Sequence, residues 1–390
     1  MRKRTRLLEA GRRPEWTQGL VNPPVARAST CLFPDFRTFL ARARDPDGGL
    51  YYGRRGTPTH WALVEALCEL EGGDGGWLFP SGLAALTGTL LALLKEGDHV
   101  LVPDSVYGPT RALATRLLPR YGIGADFYDP LIGAGIAALM RPATRVVVVE
   151  SPGSLTFEVQ DIPAIAAAAH AHGALVVADN TWATGLLCPV LDLGADVSVL
   201  AATKYVVGHS DVMAGAAIAR GELARRLKDD SHLMGWTLGA DDAALALRGL
   251  RTLEVRLKAH DESARAIAAW LARHPEVARV LHPALADCPG HEVFARDFAG
   301  ASGLFAIVLR RGRFADLAAF VDALELFGIG YSWGGYESLV LPADPAPLRT
   351  ATRWRAPGPL VRLHIGLEDP EDLKADLARG LERYAAALDA

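Results

Sequence analysis

The sequence predicts a three-layer α/β domain with a mainly parallel sheet, followed by a smaller C-terminal α+β domain. Between about residues 60 and 240, helix-like stretches alternate with short apolar runs, namely HVLVPD, RVVVVESP, ALVVADN and DVSVLAATK. Each run is rich in β-branched residues and has a polar residue at its end, which is typical of buried parallel strands. From about residue 250, long helical stretches flank the strand-like segments GLFAIVLR and LVRLHIGL, which indicates the α+β domain.

The chain length agrees with two domains. At 390 residues it exceeds the size at which a single hydrophobic core stops growing. We place the large domain at residues 57–249 and the smaller domain at residues 250–390. Residues 1–56 are rich in Arg, Pro and Gly and have weak periodicity, so we predict an extended arm that lies against another surface.

The composition argues against several classes of protein. The net charge of −4 gives no general attraction to nucleic acid, and the six Lys and Arg residues in the first 13 positions accompany no helix-turn-helix pattern. The uncharged stretch 75–94 contains proline, serine and glycine, which favours a buried helix over a membrane span. The basic N-terminal segment lacks the apolar stretch of a secretory signal, and the four cysteines form no CxxC pair. We therefore expect a cytoplasmic protein without structural zinc or disulfides.

Polar side chains are expected to meet at one edge of the predicted sheet. Asp104, Glu150 and Asp179 end three predicted strands, and Lys204 follows a fourth in the apolar stretch VLAATKYVVG. Burial lowers the pKa of a lysine, and a neutral amine forms a Schiff base with an aldehyde. Pyridoxal phosphate needs such a lysine and an acid that keeps its ring nitrogen protonated, and Lys204 and Asp179 suit these two roles. By position alone, a surface lysine and a helix-capping aspartate are the alternatives.

The segment FPSGLAAL predicts a phosphate site, because a Ser-Gly turn leads directly into a helix whose N-terminus favours an anion. The main-chain N–H groups of Gly82 and Leu83 are the predicted donors, and the hydroxyl of Thr203 is a third. Ser81 as a plain N-cap is compatible with this interpretation. Tyr107 follows another strand and is either a core aromatic residue or a ring that stacks on the pyridine of the cofactor.

Arg362 alternates with apolar residues in LVRLHIGL, so its side chain is predicted on the polar face of a strand. A guanidinium in that place suits bidentate capture of a substrate carboxylate, and a structural salt bridge is an equal alternative.

A competing pattern occurs in PLIGAGIAAL, where Gly133, Gly135 and Ala138 give the GxGxxA sequence of dinucleotide-binding proteins. An NAD-dependent oxidoreductase is therefore a second hypothesis. However, Asp129 and Pro130 interrupt the approach where an unbroken strand should lead into the glycines. We interpret the match as a coincidence.

Taken together, the motifs resemble those of the Cys/Met-metabolism family of pyridoxal-phosphate enzymes, and within it the branch of bacterial cystathionine β-lyases. The resembling segments cover nearly the whole chain in the family's order: YYGRRGTPTHWAL, FPSGLAAL, ESPGSLTFEVQDIPAI, DNTWATG, AATKYVVGHSD, LRGLRTLEVRL, YSWGGYESL and RLHIGLED. The resemblance implies a fold-type I architecture, pyridoxal 5'-phosphate as cofactor, and β-elimination of L-cystathionine to L-homocysteine, pyruvate and ammonia in methionine biosynthesis. The γ-lyases and the γ-synthase of the family share most of the site and stay open as alternatives.

The resemblance also implies roles for eleven residues. The catalytic residues are Lys204 and Tyr107. The cofactor-binding residues are Lys204, Asp179, Tyr107, Gly82, Leu83, Thr203, Tyr52 and Arg54. The substrate-binding residues are Arg362, Ser332 and Trp333. Because Tyr52 and Arg54 match residues that reach the phosphate of a neighbouring subunit, the resemblance implies a homotetramer of two active-site dimers.

Two positions depart from parts of the family. Ala201 stands where many relatives have a serine that helps to bind the phosphate, which removes one hydrogen bond worth about 0.5–1.5 kcal/mol. Ser154 stands where the γ-acting branch usually carries asparagine near the ring. The second departure favours the β-lyase branch.

Overall fold

A seven-stranded sheet is the central element of the computed structural model, which describes residues 1–390. Its strands are β1 (Gly75–Phe79), β2 (His99–Pro103), β3 (Gly124–Tyr128), β4 (Thr144–Glu150), β5 (Leu175–Asp179), β6 (Val197–Leu200) and β7 (Gly215–Ala219). Their order across the sheet is β1-β7-β6-β5-β4-β2-β3, and only β7 runs antiparallel to its neighbours. The predicted mainly parallel sheet is therefore confirmed.

Helices cover both faces of this sheet. The helices of the chain are α1 (Lys3–Glu9), α2 (Pro14–Thr17), α3 (Phe36–Arg44), α4 (Pro58–Glu71), α5 (Gly82–Leu93), α6 (Gly108–Ala112), α7 (Ile162–Ala171), α8 (Thr184–Leu187), α9 (Gly221–Met234), α10 (Ala240–Leu250), α11 (Leu253–Leu271), α12 (His291–Asp297), α13 (Ala318–Val321) and α14 (Pro370–Asp389). Alternate valines of β4 show the layering, because successive strand residues face opposite sides. Val147 and Val149 join a core that includes α4 and α7, whereas Val146 and Val148 join a core that includes α5 and α9.

The uncharged stretch 75–94 forms β1 and the whole of α5, and most of its buried apolar residues pack in the second of these cores, which confirms the predicted buried helix. No helix of the chain combines the length and the apolar character that crossing a bilayer requires.

The C-terminal part of the chain forms a second sheet. Its strands are β8 (Val277–Leu281), β9 (Leu304–Leu309), β10 (Gly328–Ile329), β11 (Leu339–Ala343) and β12 (Leu360–His364), in the order β10-β11-β12-β9-β8. Except for the pairing of β10 with β11, neighbouring strands are antiparallel. Helices α11 and α14 pack on this sheet in a third core, so the α+β arrangement follows the prediction. The domain boundaries stay predictions.

The arm is less extended than predicted. Residues 1–56 contain α1, α2 and α3, and Leu7 of α1 is 5% exposed and belongs to the core that contains α4. One buried leucine in a seven-residue helix is too little apolar repetition to predict such packing. Further along the arm, Leu32 and Phe36 are 93% and 71% exposed.

Candidate active site

Three strand ends of the parallel sheet bring polar side chains to one edge. Glu150 ends β4 and Asp179 ends β5, and the two are register partners on adjacent strands. Lys204 follows β6 in a turn that Gly208 closes by donating its N–H to the Lys204 carbonyl over 2.8 Å. Because the carboxyl ends of parallel strands share one edge, ligands of such sheets bind there.

A cavity of about 440 Å³ lies at this edge, a volume typical of sites for small molecules. It is lined by nine of the eleven predicted site residues, namely Gly82, Leu83, Tyr107, Asp179, Thr203, Lys204, Ser332, Trp333 and Arg362. Glu150 lines it too, although the sequence assigned Glu150 no role beyond its place at the strand end. The cavity thus joins the edge of the first sheet to residues from the second.

Lys204 is a cavity lysine rather than a surface lysine. Its Nζ donates to Ser332 Oγ over 2.5 Å and lies 5.3 Å from the centre of the Trp333 ring. Burial, and then the positive charge of Arg362, lower the pKa of Lys204 to about 8. An appreciable fraction of such a lysine is neutral near neutral pH, as a nucleophile or a general base must be.

Two carboxyl groups lie side by side at the floor of the cavity. Asp179 Oδ1 accepts hydrogen bonds from the Thr181 hydroxyl over 2.5 Å and from the Thr181 N–H over 3.1 Å. Glu150 Oε2 accepts the N–H of Tyr107 over 2.9 Å. Burial raises the pKa of both carboxyl groups, and Asp179 raises that of Glu150 further, well above its ordinary value. Hydrogen bonds from Thr181, and then the positive charge of Lys204, partly offset the rise at Asp179, so Asp179 loses its proton more readily than Glu150 does.

The N-terminus of α5 borders the cavity, at the corner where the sequence predicts an anion site. Ser81 is the N-cap, because its Oγ accepts the N–H of Ala84 over 3.1 Å. The N–H groups of Gly82 and Leu83 in the first turn have no partner within the helix and border the cavity. A Cβ at Gly82 would lie 2.4 Å from the Cβ of Ala201, so only glycine fits this close approach. The corner offers main-chain donors without a serine at position 201.

Thr203 lines the same cavity, but its hydroxyl is already hydrogen-bonded. Its Oγ1 donates to the Ala214 carbonyl over 3.0 Å and accepts the Ala214 N–H over 2.9 Å. Its predicted bond to a phosphate therefore has to compete with the Ala214 carbonyl for the hydroxyl proton.

Arg362 lies on β12 across the cavity from the sheet edge. Its side chain is 8% exposed, and its Nη2 donates to the Ser332 carbonyl over 3.0 Å. It makes no salt bridge with a carboxylate of this chain, so the structural salt bridge is ruled out within the subunit. Burial lowers the pKa of Arg362 to about 10, so it stays charged at neutral pH. A buried guanidinium without an anionic partner is suited to bind an anionic ligand.

Tyr107 lies at the mouth of the cavity, directly before α6, and is 48% exposed. It is not a core residue. Burial of its hydroxyl raises its pKa, so the phenol keeps its proton at neutral pH. Stacking of this ring on a cofactor stays a prediction.

Tyr52 and Arg54 are the two predicted site residues that the structure does not bring to Lys204. They line a separate cavity of about 410 Å³ in the arm. Arg54 Nη1 donates to the His232 carbonyl over 2.6 Å, and Tyr52 is 44% exposed. Within one subunit they serve no common site with Lys204.

Asp104, the fourth polar strand end, has a different function from the other three. It is 1% exposed and accepts the N–H groups of Thr350 and Thr352 over 3.0 and 2.8 Å. Burial alone would raise the pKa of Asp104, but hydrogen bonds from Thr350 and Thr352 outweigh it and lower the pKa to about 2. Asp104 thus ties the loop before β12 to the end of β2.

The dinucleotide-like pattern is part of a short 3₁₀ helix, Gly133–Leu139, and not of a strand-to-helix turn. Asp129 and Pro130 separate this helix from β3, and none of its residues lines the 440 Å³ cavity. The structure therefore lacks the phosphate-binding turn that the oxidoreductase hypothesis requires.

The residues of the cavity fit pyridoxal phosphate. The fit rests on an amine with a lowered pKa, a buried carboxyl group at the end of the neighbouring strand, and main-chain donors at a glycine where no larger residue fits. The sequence placed Glu150 at this edge of the sheet but assigned it no role in the site. The signal was present, because RVVVVE is a β-branched run that ends in an acid, like ALVVAD.

Comparisons with known proteins agree with this site. The sequence profile of the Cys/Met metabolism PLP-dependent enzyme family matches residues 4–382. The cystathionine beta-lyase MetC of Escherichia coli is 47% identical over 97% of this chain and 98% of its own length. The cystathionine gamma-synthase of Mycobacterium bovis is 38% identical over 97% of this chain and 96% of its own. The crystal structure of metB from Corynebacterium glutamicum superposes with a TM-score of 0.90 at 31% identity, covering 98% of both chains.

Proposed function

The chain belongs to the Cys/Met metabolism family of PLP-dependent enzymes, and we propose that it cleaves L-cystathionine by β-elimination to L-homocysteine, pyruvate and ammonia. The main support for this proposal is that one cavity holds the amine of Lys204, the carboxyl group of Asp179 and the guanidinium of Arg362, which has no salt-bridge partner. Relatives named as cystathionine beta-lyases are 45–47% identical to this chain in Escherichia coli and Haemophilus influenzae, against 38% for the gamma-synthase. The β-lyase branch is therefore favoured over the γ-acting branch.

Five residues of this chain would hold the cofactor. Lys204 would bind its aldehyde, Asp179 would keep the proton on its ring nitrogen, and the N–H groups of Gly82 and Leu83 would bind its phosphate. Tyr107 would cover its ring from the mouth of the cavity. When bound, pyridoxal phosphate supplies a ring that accepts the electron pair released when the substrate loses its α-proton.

The second sheet would bind the substrate. The guanidinium of Arg362 has donors free for the α-carboxylate, because only its bond to the Ser332 carbonyl is made within the chain. The Ser332 hydroxyl and the Trp333 ring border the same space. Charge-assisted bonds from a buried guanidinium would fix the amino acid with its α-carbon toward Lys204.

Lys204 would then remove the α-proton of the bound amino acid. Its neutral Nζ takes the α-proton of the bound amino acid, and the β-carbon releases its bond to sulfur with the electron pair. The thiolate that leaves needs a proton, and two groups hold one at the cavity, the Lys204 ammonium and the Tyr107 hydroxyl. Hydrolysis of the remaining three-carbon fragment gives pyruvate and ammonia.

The products of L-cystathionine test this proposal directly, because β- and γ-elimination break opposite bonds of the same sulfur. We expect L-homocysteine and pyruvate in equal amounts from the purified protein loaded with pyridoxal phosphate. L-cysteine with 2-oxobutyrate would move the protein to the γ-lyase branch. Colourless protein that fails to take up pyridoxal phosphate would contradict the assignment of the cofactor.

The arm supports a further proposal on assembly, namely that Tyr52 and Arg54 complete the site of a neighbouring subunit in a homotetramer. Both residues lie away from Lys204, and the arm exposes the apolar side chains of Leu32 and Phe36. Mixed oligomers of the Lys204→Ala and Arg54→Ala variants would combine one intact site from two defective chains. We expect recovery of part of the activity, whereas sites confined to one chain would give none.

We further propose a cytoplasmic location. All four cysteines are free, as expected in a reducing compartment. Cell fractionation with an antibody against the protein tests this, and recovery in an extracytoplasmic fraction would contradict it.

A further inference from the structure

His364 is the second polar side chain of β12 that faces the loop of residues 331–337. Its Nε2 accepts the N–H of Gly334 over 3.0 Å, and its Nδ1 lies 3.0 Å from the Glu337 carbonyl. A backbone N–H only donates and a carbonyl only accepts, so the proton of the ring is on Nδ1. One neutral tautomer of His364 therefore bridges two points of the 331–337 loop.

From this geometry we infer that His364 is a positioning residue, which holds the 331–337 loop so that Ser332 and Arg362 can bind the substrate carboxylate. The inference rests on the proposed function, because it takes an amino-acid carboxylate as the ligand of Arg362. His364 itself does not line the cavity and acts through the loop.

The loop needs such an anchor because of its backbone. Ser332 has a φ of +84° and Gly334 has a φ of +90°. Both angles lie in the left-handed region, which residues other than glycine rarely adopt. A Cβ at Gly334 would lie 2.9 Å from the Lys204 carbonyl carbon and from the Tyr205 nitrogen. The loop is thus pressed against the backbone of the reactive lysine, and the N–H that His364 binds is that of Gly334.

Ser332 shows what the loop position controls. Its hydroxyl accepts from Lys204 Nζ over 2.5 Å, and its carbonyl accepts from Arg362 Nη2 over 3.0 Å. One residue of the loop therefore contacts both the amine and the guanidinium. A small shift of the loop changes how these two groups are placed relative to each other, and such misplacement is costly in catalysis.

The environment of His364 favours the neutral ring that this role requires. The side chain is 1% exposed, and the rings of His260 and Tyr205 lie 5.4 and 6.1 Å away. Burial, and then His260, lower the pKa of His364 well below its ordinary value. Both side-chain hydrogen bonds of His364 go to the 331–337 loop, and none goes to a neighbouring strand of its own sheet.

Glutamine, asparagine and leucine variants separate positioning from mere packing. In His364→Gln the side-chain oxygen can reach the place of Nε2 and accept from Gly334, in His364→Asn it is too short, and His364→Leu removes both bonds. We expect His364→Leu and His364→Asn to raise KM for L-cystathionine about 10- to 100-fold, as for the loss of a buried hydrogen bond. We expect His364→Gln to stay within about threefold of the original KM, with cofactor content unchanged in every variant.

Binding of L-alanine and ethylamine to the cofactor-loaded protein provides a readout besides turnover. Both are amines, but only L-alanine carries a carboxylate, and their binding is followed by the visible absorbance of the bound cofactor. We expect His364→Asn to weaken L-alanine binding and to leave ethylamine binding unchanged. His282→Leu is the matched control, since His282 is equally buried but accepts the N–H of Ala284 and bonds to no residue of the loop.

If His364→Asn weakened the binding of L-alanine and of ethylamine equally, the inference would be overturned, because a general structural defect affects the binding of both amines. Equal KM values for the glutamine and asparagine variants would overturn it as well. The proposed function is judged separately, from the products that the unmodified protein forms from L-cystathionine. Failure of that reaction with intact L-alanine binding would leave the role of His364 standing.

Discussion

The two sides of the cavity are built in different ways. On the side that we propose binds the cofactor, called the cofactor side below, Asp179 and Glu150 are held by the register of adjacent buried strands, and Gly82 begins a helix of 12 residues. On the side that we propose binds the substrate, called the substrate side below, Ser332 belongs to a loop with left-handed backbone that is held by side chains of β12. The first side is thus determined by secondary structure, and the second depends on a few specific contacts between segments distant in the chain. We therefore expect substitutions on the cofactor side to lower kcat and substitutions on the substrate side to raise KM.

The largest effect is expected from Lys204→Ala on the cofactor side. Lys204 is the only primary amine that lines the cavity, so its loss removes both the covalent attachment and the base. We expect turnover of L-cystathionine to fall by at least about 10³-fold, measured as pyruvate formed. Arg362→Lys serves as control for folding and cofactor content, because it retains Lys204. A Lys204→Ala protein with full activity would remove the basis of the mechanism.

The Asp179→Asn substitution should have the next largest effect on activity. An amide keeps the hydrogen bonds from Thr181 but carries no charge to hold a proton on the ring nitrogen. We expect kcat to fall by roughly 100-fold, as when one electrostatic contribution to the transition state is lost, with little change in KM. Asp179→Glu, which retains the charge, is the comparison. If the Asp179→Asn variant kept the original kcat, Asp179 would not be the acid that holds the proton on the ring nitrogen of the cofactor.

Arg362→Lys tests the substrate side alone. Lysine retains a positive charge but lacks the planar pair of donors that binds a carboxylate. We expect KM for L-cystathionine to rise about 10- to 100-fold while the absorbance of the bound cofactor stays the same. A fall in cofactor content with unchanged KM would mean that Arg362 belongs to the cofactor side instead.

The difference between the two sides also explains how much could be predicted from the sequence. Lys204 and Asp179 follow β-branched runs, and a parallel sheet brings such strand ends together whatever the rest of the chain does. The place of Gly82 at the cavity was predictable because a Ser-Gly turn before a helix indicates a helix N-terminus, which favours anions. These features depend on local pattern and on a general rule of topology.

The contacts of the substrate side depend on segments that are far apart in sequence. Nothing in the stretch YSWGGYESL indicates that Gly334 donates to the ring of His364, 30 positions later. In the same way, Leu7 packs against α4, although the arm has weak periodicity. Tyr52 and Arg54 lie outside the cavity of their own subunit, so one chain cannot show what they bind.

The smallest effect on activity is expected from Glu150→Gln. Glutamine can still accept the N–H of Tyr107 and is neutral, as Glu150 is when burial and Asp179 raise its pKa. We expect kcat and KM at neutral pH to stay within about threefold of the original values. A carboxyl group whose folded pKa is raised stabilises the fold at acid pH and loses this contribution as pH rises above its unfolded value of about 4.3. The variant should therefore gain a few degrees of thermal stability over the original protein as the pH rises above about 4.3. A gain confined to acid pH would show instead that Glu150 is charged in the folded protein, and the assignment of the negative charge to Asp179 would have to be reversed.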